Sequence, residues 1–385
     1  MIRPCVKPIG LALLSTLGTA CSGTDPAELG FSPAALEAIA DRVARWVGEG
    51  EAVGAELLMI QRGNIILHEA WGWKDRERQL PMEPNTVFNI QSMTKPVTAT
   101  AVLMLVEEGV LDLDDRAADH LPSFANTRSG AVTIRQLLTR TAGFTQAGYP
   151  AGITNYATLR EAVDDLGRVG PDAVPGSVFA RKVGVGVLGA IVQEVTGVPV
   201  EDFITTRILE PLGMTTNTLT ELTLDDPLRP RVSSRYYLQE SGAFEKFWDS
   251  RDPQELPFFP ASGGLYSTTS DYAKFLTMWM DRGRVGDTRL LSENLMIEAL
   301  QIHPLTLDAL VPYGMLWEIA LDRGAANPAA GASLPSFGHR GIDGTMGWVV
   351  PEHELVVLYF TQSRFGTTHA DIVDVVRNAI DVSQT

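Results

Sequence analysis

A serine and a lysine three positions apart form the pair of side chains best suited to chemistry in this sequence. The run SMTK at 92–95 has the pattern S-x-x-K at the start of a helix predicted over 92–108 and ended by Gly109. Residues three apart share a helix face, so a Lys95 amine of depressed pKa can reach the Ser92 hydroxyl as its base. Amides at the helix N-terminus suit the oxyanion of an attacked carbonyl. The pattern predicts a serine nucleophile, although it also fits an N-cap serine followed by a surface lysine.

The elements that must position this pair are predicted mainly at the two ends of the chain. They are a helix opened by Ser32 and Pro33, a hairpin over 55–71, a second hairpin over 347–361 and a closing helix over 368–382. Residues 111–249 show helix and loop patterns with few strand-like runs. Both chain ends are therefore expected to supply strands and flanking helices, with helices between them.

Composition and spacing exclude several classes of protein. With 385 residues, of which 45% are hydrophobic, the chain can bury a large core, and its length suggests two domains or one large domain with an insertion. A net charge of -16 would repel a phosphate backbone, so no nucleic-acid partner is expected. The acidic run at 111–115 lacks the glycine and distal glutamate of a calcium loop, and no G-x-G-x-x-G or G-x-S-x-G pattern occurs. We expect no metal and no cofactor.

The N-terminal residues have the layout of a secretory signal. Arg3 and Lys7 precede an apolar stretch over 9–20, which is too short to span a bilayer, and Cys21 follows directly. LGTAC resembles a bacterial lipoprotein processing box, in which the cysteine is lipidated. We therefore expect a signal peptide over 1–20, a tether over 21–30 and a protein exported to the periplasm or cell envelope and anchored to a membrane at Cys21. Plain secretion is the alternative.

Five segments carry a resemblance to known proteins. They are TVFNIQSMTKPVTATAVLMLVEEG at 86–109, LLTRTAGF at 137–144, PGSVF with VLGAIVQEVTG within 175–197, GGLYSTTSDYAKF at 263–275, and FGHRGIDGTMGWVVP with a strand ending in FTQS within 337–363. They resemble class C β-lactamases, penicillin-binding proteins and above all the family VIII carboxylesterases. The resemblance implies a fold that is α/β plus all-α, with an antiparallel sheet flanked by helices from both chain ends and an inserted helical domain. The α/β domain would comprise 31–85 and 255–385, and the mainly helical domain 86–254.

The resemblance also implies a site. Ser92 would be the acylated nucleophile and Lys95 its partner, while His339-Arg340-Gly341 would line a strand edge beside them. The backbone amides of Ser92 and Ile342 would form the oxyanion hole. The expected substrate is a small ester or another small acyl compound; the oligomeric state is not predicted.

One motif departs from the family. The related proteins usually have a tyrosine six residues after the proline of the PG pair, where this chain has Arg181, followed by Lys182 and Val183. Arg181 would either lower the pKa of Lys95 as a nearby cation, so that Lys95 acts as the sole base, or mark a loss of activity. The tyrosines whose hydroxyl could substitute are Tyr149, Tyr156 and Tyr266.

These features favour a serine hydrolase acting on small carboxylic esters. A β-lactamase or D-Ala-D-Ala carboxypeptidase is the alternative enzyme, although Val183 occupies the position of the asparagine that recognises β-lactam amides. A catalytically impaired protein that binds a cell-wall or acyl ligand is the alternative from another class.

Overall fold

The computed structural model describes residues 31–146, 148–320 and 334–383. The predicted signal peptide, the tether and Cys21 lie outside these residues. The helices are α1 (Pro33–Gly48), α2 (Thr94–Glu107), α3 (Ala117–His120), α4 (Ile134–Leu138), α5 (Leu159–Val169), α6 (Val185–Thr196), α7 (Val200–Ile204), α8 (Thr269–Met280), α9 (Glu293–Ala299) and α10 (Thr368–Ser383). None of the helices within these residues combines the length and apolar character needed to cross a membrane.

The strands form one large sheet and three small ones. They are β1 (Gly54–Gln61), β2 (Asn64–Asp75), β3 (Leu80–Pro81), β4 (Phe88–Asn89), β5 (Arg235–Leu238), β6 (Phe244–Trp248), β7 (Tyr266–Ser267), β8 (Arg284–Val285), β9 (Thr288–Arg289), β10 (Glu318–Ile319), β11 (Phe337–Arg340), β12 (Met346–Val350), β13 (Leu355–Thr361) and β14 (Ser363–Arg364). The seven-stranded sheet has the order β10-β11-β12-β13-β1-β2-β3 and is antiparallel throughout.

The two ends of the chain meet in the middle of the large sheet. Strand β1 pairs with β13 in a register that places Ala55 opposite Thr361. Successive side chains of a strand point to opposite faces, so Leu57 and Met59 enter a core with α1 and α10, whereas Leu58 enters the main core with α8. Helix α1 begins as predicted, with the Ser32 hydroxyl accepting a hydrogen bond from the Ala35 amide at 3.1 Å. The predicted antiparallel sheet with flanking helices is confirmed.

The segment over 86–254, predicted to be mainly helical, also contains a strand pair that the sequence analysis did not anticipate. Strands β5 and β6 pair with each other, and β14 joins them in a small sheet. The inward side of this pair includes Arg235, which is fully buried in ion pairs. A buried arginine interrupts the apolar alternation by which strands are recognised in a sequence.

Candidate active site

Ser92 and Lys95 are in direct contact at the start of α2. Ser92 lies in a short 3-10 turn (Gln91–Met93), one turn before the α-helix in which it was predicted. The tighter turn does not separate the pair: Lys95 Nζ lies 2.6 Å from Ser92 Oγ and 2.8 Å from the carbonyl oxygen of Ser262. A neutral amine here donates one hydrogen to Ser262 O and keeps its lone pair for the Ser92 hydroxyl proton.

The surroundings of Lys95 favour that neutral amine. Lys95 is only 9% exposed. Burial, followed by the positive charges of Arg140 and Arg181, lowers the pKa of Lys95 well below its ordinary value, and the negative charge of Glu318 only partly opposes this. A lysine with a depressed pKa is a competent general base near neutral pH.

Arg181, at the position of the family tyrosine, is held by a buried carboxylate. Its Nη2 lies 2.5 Å from Glu318 Oε1, and Arg340 Nε donates to Glu318 Oε2 at 2.8 Å. The Arg181 guanidinium also stacks over the ring of Tyr313, with 4.8 Å between its carbon and the ring centroid. Burial by itself would raise the pKa of Glu318, but Arg340 and Arg181 hold the pKa below its ordinary value. The carboxylate is therefore ionised and fixes Arg181 beside the site; Lys182, the next residue, is exposed.

His339 is a neutral imidazole in this cluster. Its Nδ1 lies 2.8 Å from the carbonyl oxygen of Arg340, which can only accept, so Nδ1 carries the proton. Its Nε2 is then an acceptor and lies 3.1 Å from Tyr313 Oη, whose single hydrogen is shared between this nitrogen and Glu318 Oε1 at 3.2 Å. Burial is the main cause that lowers the pKa of His339 to about 3; the charge of Arg181 acts in the same direction, and Glu318 opposes the shift. His339 thus lies against the cluster as a hydrogen-bond acceptor and not as a cation.

Arg140 is a site residue that the sequence analysis missed. It adopts a left-handed backbone conformation, with φ of 61°, and its Nη2 donates to the carbonyl oxygen of Lys182 at 3.0 Å. Its own carbonyl accepts from the Ala180 amide at 3.0 Å, so Arg140 holds both sides of the segment that carries Arg181. Burial and Arg181 lower the pKa of Arg140 to about 10, which leaves it cationic at neutral pH. The signal was in the sequence: the segment LLTRTAGF at 137–144 contains Arg140. It resembles a family segment, LLTHTSGL, which has histidine at that position.

A cavity of about 320 Å³ opens onto Ser92 and Lys95. Its walls are largely apolar and include Leu159, Val183 and Phe258. Sites for small ligands typically fall at about 300–1,000 Å³, so this cavity suits a small acyl group. No group of three or more acidic, histidine or cysteine side chains within the described residues is arranged to hold a metal ion.

The three tyrosines proposed as substitutes occupy different places. Tyr149 and Tyr266 line the cavity, whereas Tyr156 does not and donates to Asp165 at 2.6 Å. A Cβ atom added at Gly186 would collide with Tyr149 Oη, so the glycine makes room for this ring. Neither tyrosine occupies the position of Arg181. A different tyrosine, Tyr313, which the sequence analysis did not single out, contacts both Arg181 and His339.

The fold is that of the β-lactamase-type family of serine hydrolases. Residues 38–379 match the family model described as Beta-lactamase, and the chain belongs to this family, which includes esterases and β-lactamases. The predicted resemblance to this superfamily and its esterases is confirmed. Among its relatives, Esterase EstB of Burkholderia gladioli is 30% identical over 275 residues, which cover 63% of this chain and 69% of EstB.

Two solved structures show the shared fold. EstCE1, described as a hydrolase with promiscuous acyltransferase activity, has a TM-score of 0.75 and 22% identity, and covers 91% of this chain and 100% of its own. The D-amino acid amidase of Ochrobactrum anthropi SV3 has a TM-score of 0.74 and 24% identity, over 91% of this chain and 99% of its own.

Proposed function

We propose that this protein hydrolyses small carboxylic esters through an acyl-enzyme formed on Ser92. The observation that carries the proposal is the buried Lys95 amine, which lies 2.6 Å from Ser92 Oγ. The positive charges of Arg140 and Arg181 help to keep this amine neutral. A base of depressed pKa in contact with a serine at a cavity floor is the arrangement that nucleophilic acyl transfer requires. The relationship to EstB supports an ester as the substrate.

The reaction follows from these positions in two halves. Lys95 Nζ takes the Ser92 hydroxyl proton as Oγ bonds to the ester carbonyl carbon, and the negative charge moves to the carbonyl oxygen. The amides of Ser92 and Ile342 would donate to that oxygen. The carbon–oxygen bond to the alcohol then breaks, and Lys95 returns the proton to the leaving alkoxide. In the second half a water molecule attacks the acyl-enzyme, again giving a proton to Lys95, and the acid leaves as Ser92 recovers its hydrogen.

Arg181 stands in place of the family tyrosine, but it supplies a positive charge and does not transfer protons. A tyrosine could accept and donate protons, whereas a guanidinium stays protonated throughout the working pH range. What the arginine contributes is a positive charge that disfavours protonation of Lys95. Lys95 is therefore the sole base in this mechanism, and Arg181 is the residue that helps to keep it neutral.

One pair of assays tests the proposal. Hydrolysis of p-nitrophenyl butyrate and labelling by a fluorophosphonate probe are compared for the wild type, Ser92→Ala and the control Ser177→Ala, which removes an exposed serine that does not line the cavity. We expect Ser92→Ala to lose both signals and Ser177→Ala to keep both. Equal turnover by wild type and Ser92→Ala would refute the Ser92 mechanism. No signal from the wild type would favour a binding protein instead.

A further inference from the structure

The carboxylate of Asp343 joins three separate segments beneath the candidate site. Asp343 is fully buried, one residue after Ile342. Its Oδ2 accepts from Gln91 Nε2 at 3.0 Å and from Arg235 Nη1 at 3.4 Å, and its Oδ1 accepts from Arg364 Nε at 2.5 Å. A buried carboxylate with two guanidiniums and an amide as partners is held firmly in place.

Gln91, one of these partners, directly precedes Ser92 in a strained conformation. Its φ is +50°, in the left-handed region that costs a residue with a Cβ atom about 1–2 kcal/mol. Two contacts hold it there: the Gln91 amide donates to Asn89 Oδ1 at 2.9 Å, and its side chain reaches Asp343. Backbone strain of this kind persists only where neighbouring contacts enforce it.

The turn that contains Ile342 packs on the same segment. The Gly341 amide donates to the Thr345 carbonyl at 2.7 Å, and Thr345 Oγ1 donates to the Ile90 carbonyl at 3.2 Å. A Cβ atom at Gly341 would collide with Thr345 Oγ1 and would lie 2.6 Å from Ile90 O. The turn over 341–345 therefore rests directly against the backbone that leads into Ser92.

We propose that Asp343 is a positioning residue that sets the spacing between the Ser92 and Ile342 amides. The Asp343 carboxylate holds Gln91, which directly precedes Ser92, and Asp343 itself directly follows Ile342. A single buried carboxylate therefore connects the two segments whose amides form the oxyanion hole. This inference rests on the proposed function, because it concerns the same reaction. A displacement of donors by about 1 Å can cost on the order of 100-fold in rate.

Charge alone predicts the opposite effect, which makes the inference testable. A negative carboxylate close to a developing oxyanion opposes it, so removing Asp343 would leave Arg235 and Arg364 to favour the oxyanion. An electrostatic role therefore predicts faster turnover in Asp343→Ala, whereas a positioning role predicts slower turnover.

The experiment is a double-mutant cycle on p-nitrophenyl butyrate. We expect Gln91→Leu and Asp343→Ala each to lower kcat by roughly 10-fold to 100-fold with KM changed less than about twofold, and the double variant to be no slower than the slower single variant. Inhibition by n-butylboronic acid, whose tetrahedral adduct places an oxygen in the hole, should weaken in parallel with kcat. In Gln91→Leu, Asp343 is still bound to both arginines, so this variant tests the inference even if Asp343→Ala does not fold.

Asp75→Ala is the matched control. Asp75 is also buried and bound to cations, with Arg78 Nη2 at 2.8 Å and Lys246 Nζ at 2.6 Å, and it accepts from Ser234 Oγ at 2.7 Å. None of these three side chains hydrogen-bonds to Asp343, and Asp75 does not line the cavity. We expect it to lower thermal stability and to leave kcat unchanged. Unchanged or increased kcat in Gln91→Leu and Asp343→Ala would overturn the inference while the Ser92 mechanism stands. A wild type without ester turnover would overturn both.

Discussion

Arg181 stands at the position where related esterases usually have a tyrosine. Its Nη2 lies 2.5 Å from the fully buried carboxylate of Glu318. The ion pair holds a permanent cation in the neighbourhood of Lys95, the base that the proposed reaction needs in its neutral form. Because the Arg181 side chain is 44% exposed, water weakens its effect on Lys95, and an observable but moderate change is expected when it is removed.

Replacing the arginine by an uncharged side chain should move the pH dependence of the reaction. In Arg181→Met, Lys95 loses a repelling cation and Glu318 loses a counter-ion, and both changes raise the pKa of Lys95. Since Lys95 acts as base only when deprotonated, the acidic limb of the pH profile of kcat/KM should shift to higher pH. Lys182→Met, which removes an exposed neighbouring charge, is the control. A shift to lower pH, or none, would contradict the role given to Arg181.

Replacing Arg181 by the tyrosine of the family should lower activity. Arg181→Tyr supplies a phenol but removes the cation that pairs with Glu318, so among the described residues the buried carboxylate keeps Arg340 as its salt-bridge partner. We expect turnover of p-nitrophenyl butyrate to fall below that of the wild type. Higher turnover would show instead that the natural protein is a crippled enzyme lacking its tyrosine.

His339 should make the folded protein sensitive to acid. Its pKa is lowered to about 3 in the folded state, whereas an unfolded chain binds the proton near the ordinary value of 6.5. Stability linked to this group is complete above pH 6.5 and declines as the pH falls toward 3, with a slope of up to about 1.4 kcal/mol per pH unit.

Urea unfolding at a series of pH values measures this slope. His339→Gln removes the titrating ring and should have a shallower decline between pH 6.5 and 3 than the wild type. Superimposable pH dependence of the two proteins would show that His339 does not carry the linkage.

The N-terminal residues give a prediction independent of the site. We propose that Cys21 is lipidated after removal of 1–20, because the apolar stretch and the LGTAC sequence have the layout of a lipoprotein signal. Expressed in a bacterial host, the full chain should sediment with membranes and Cys21→Ser should not. Mass spectrometry of the mature N-terminus supplies the second measurement, and an unmodified Cys21 in the mature protein would refute the proposal.

The sequence predicted the features that are formed by residues close together in the chain. Ser92 and Lys95 meet because three positions on a helix bring any two side chains together, so their contact follows from spacing alone. The terminal helices and hairpins were likewise recognisable from capping residues and apolar periodicity. The resemblance to known hydrolases then predicted which of many polar residues belong to the same site.

The features that were missed depend on contacts between distant segments. Arg181 and Glu318 are separated by 137 positions, and Gln91 and Asp343 by 252. No periodicity links such residues, and a charged side chain in a sequence is by default expected at the surface. Arg235 shows the difficulty: it is fully buried, and the strand that carries it was not predicted.

The pairing of β1 with β13 also determines when the site can exist. Ala55 and Thr361, opposite each other at the centre of the large sheet, are about 300 residues apart in the chain. Such non-local pairs form late and slowly, since the ends of a very long loop must meet before any contact stabilises them. A nascent chain can therefore contain the complete SMTK segment and lack both His339 and the turn with Ile342. On the proposed mechanism, hydrolysis requires a nearly complete chain, and truncation near the C-terminus should abolish it without removing Ser92.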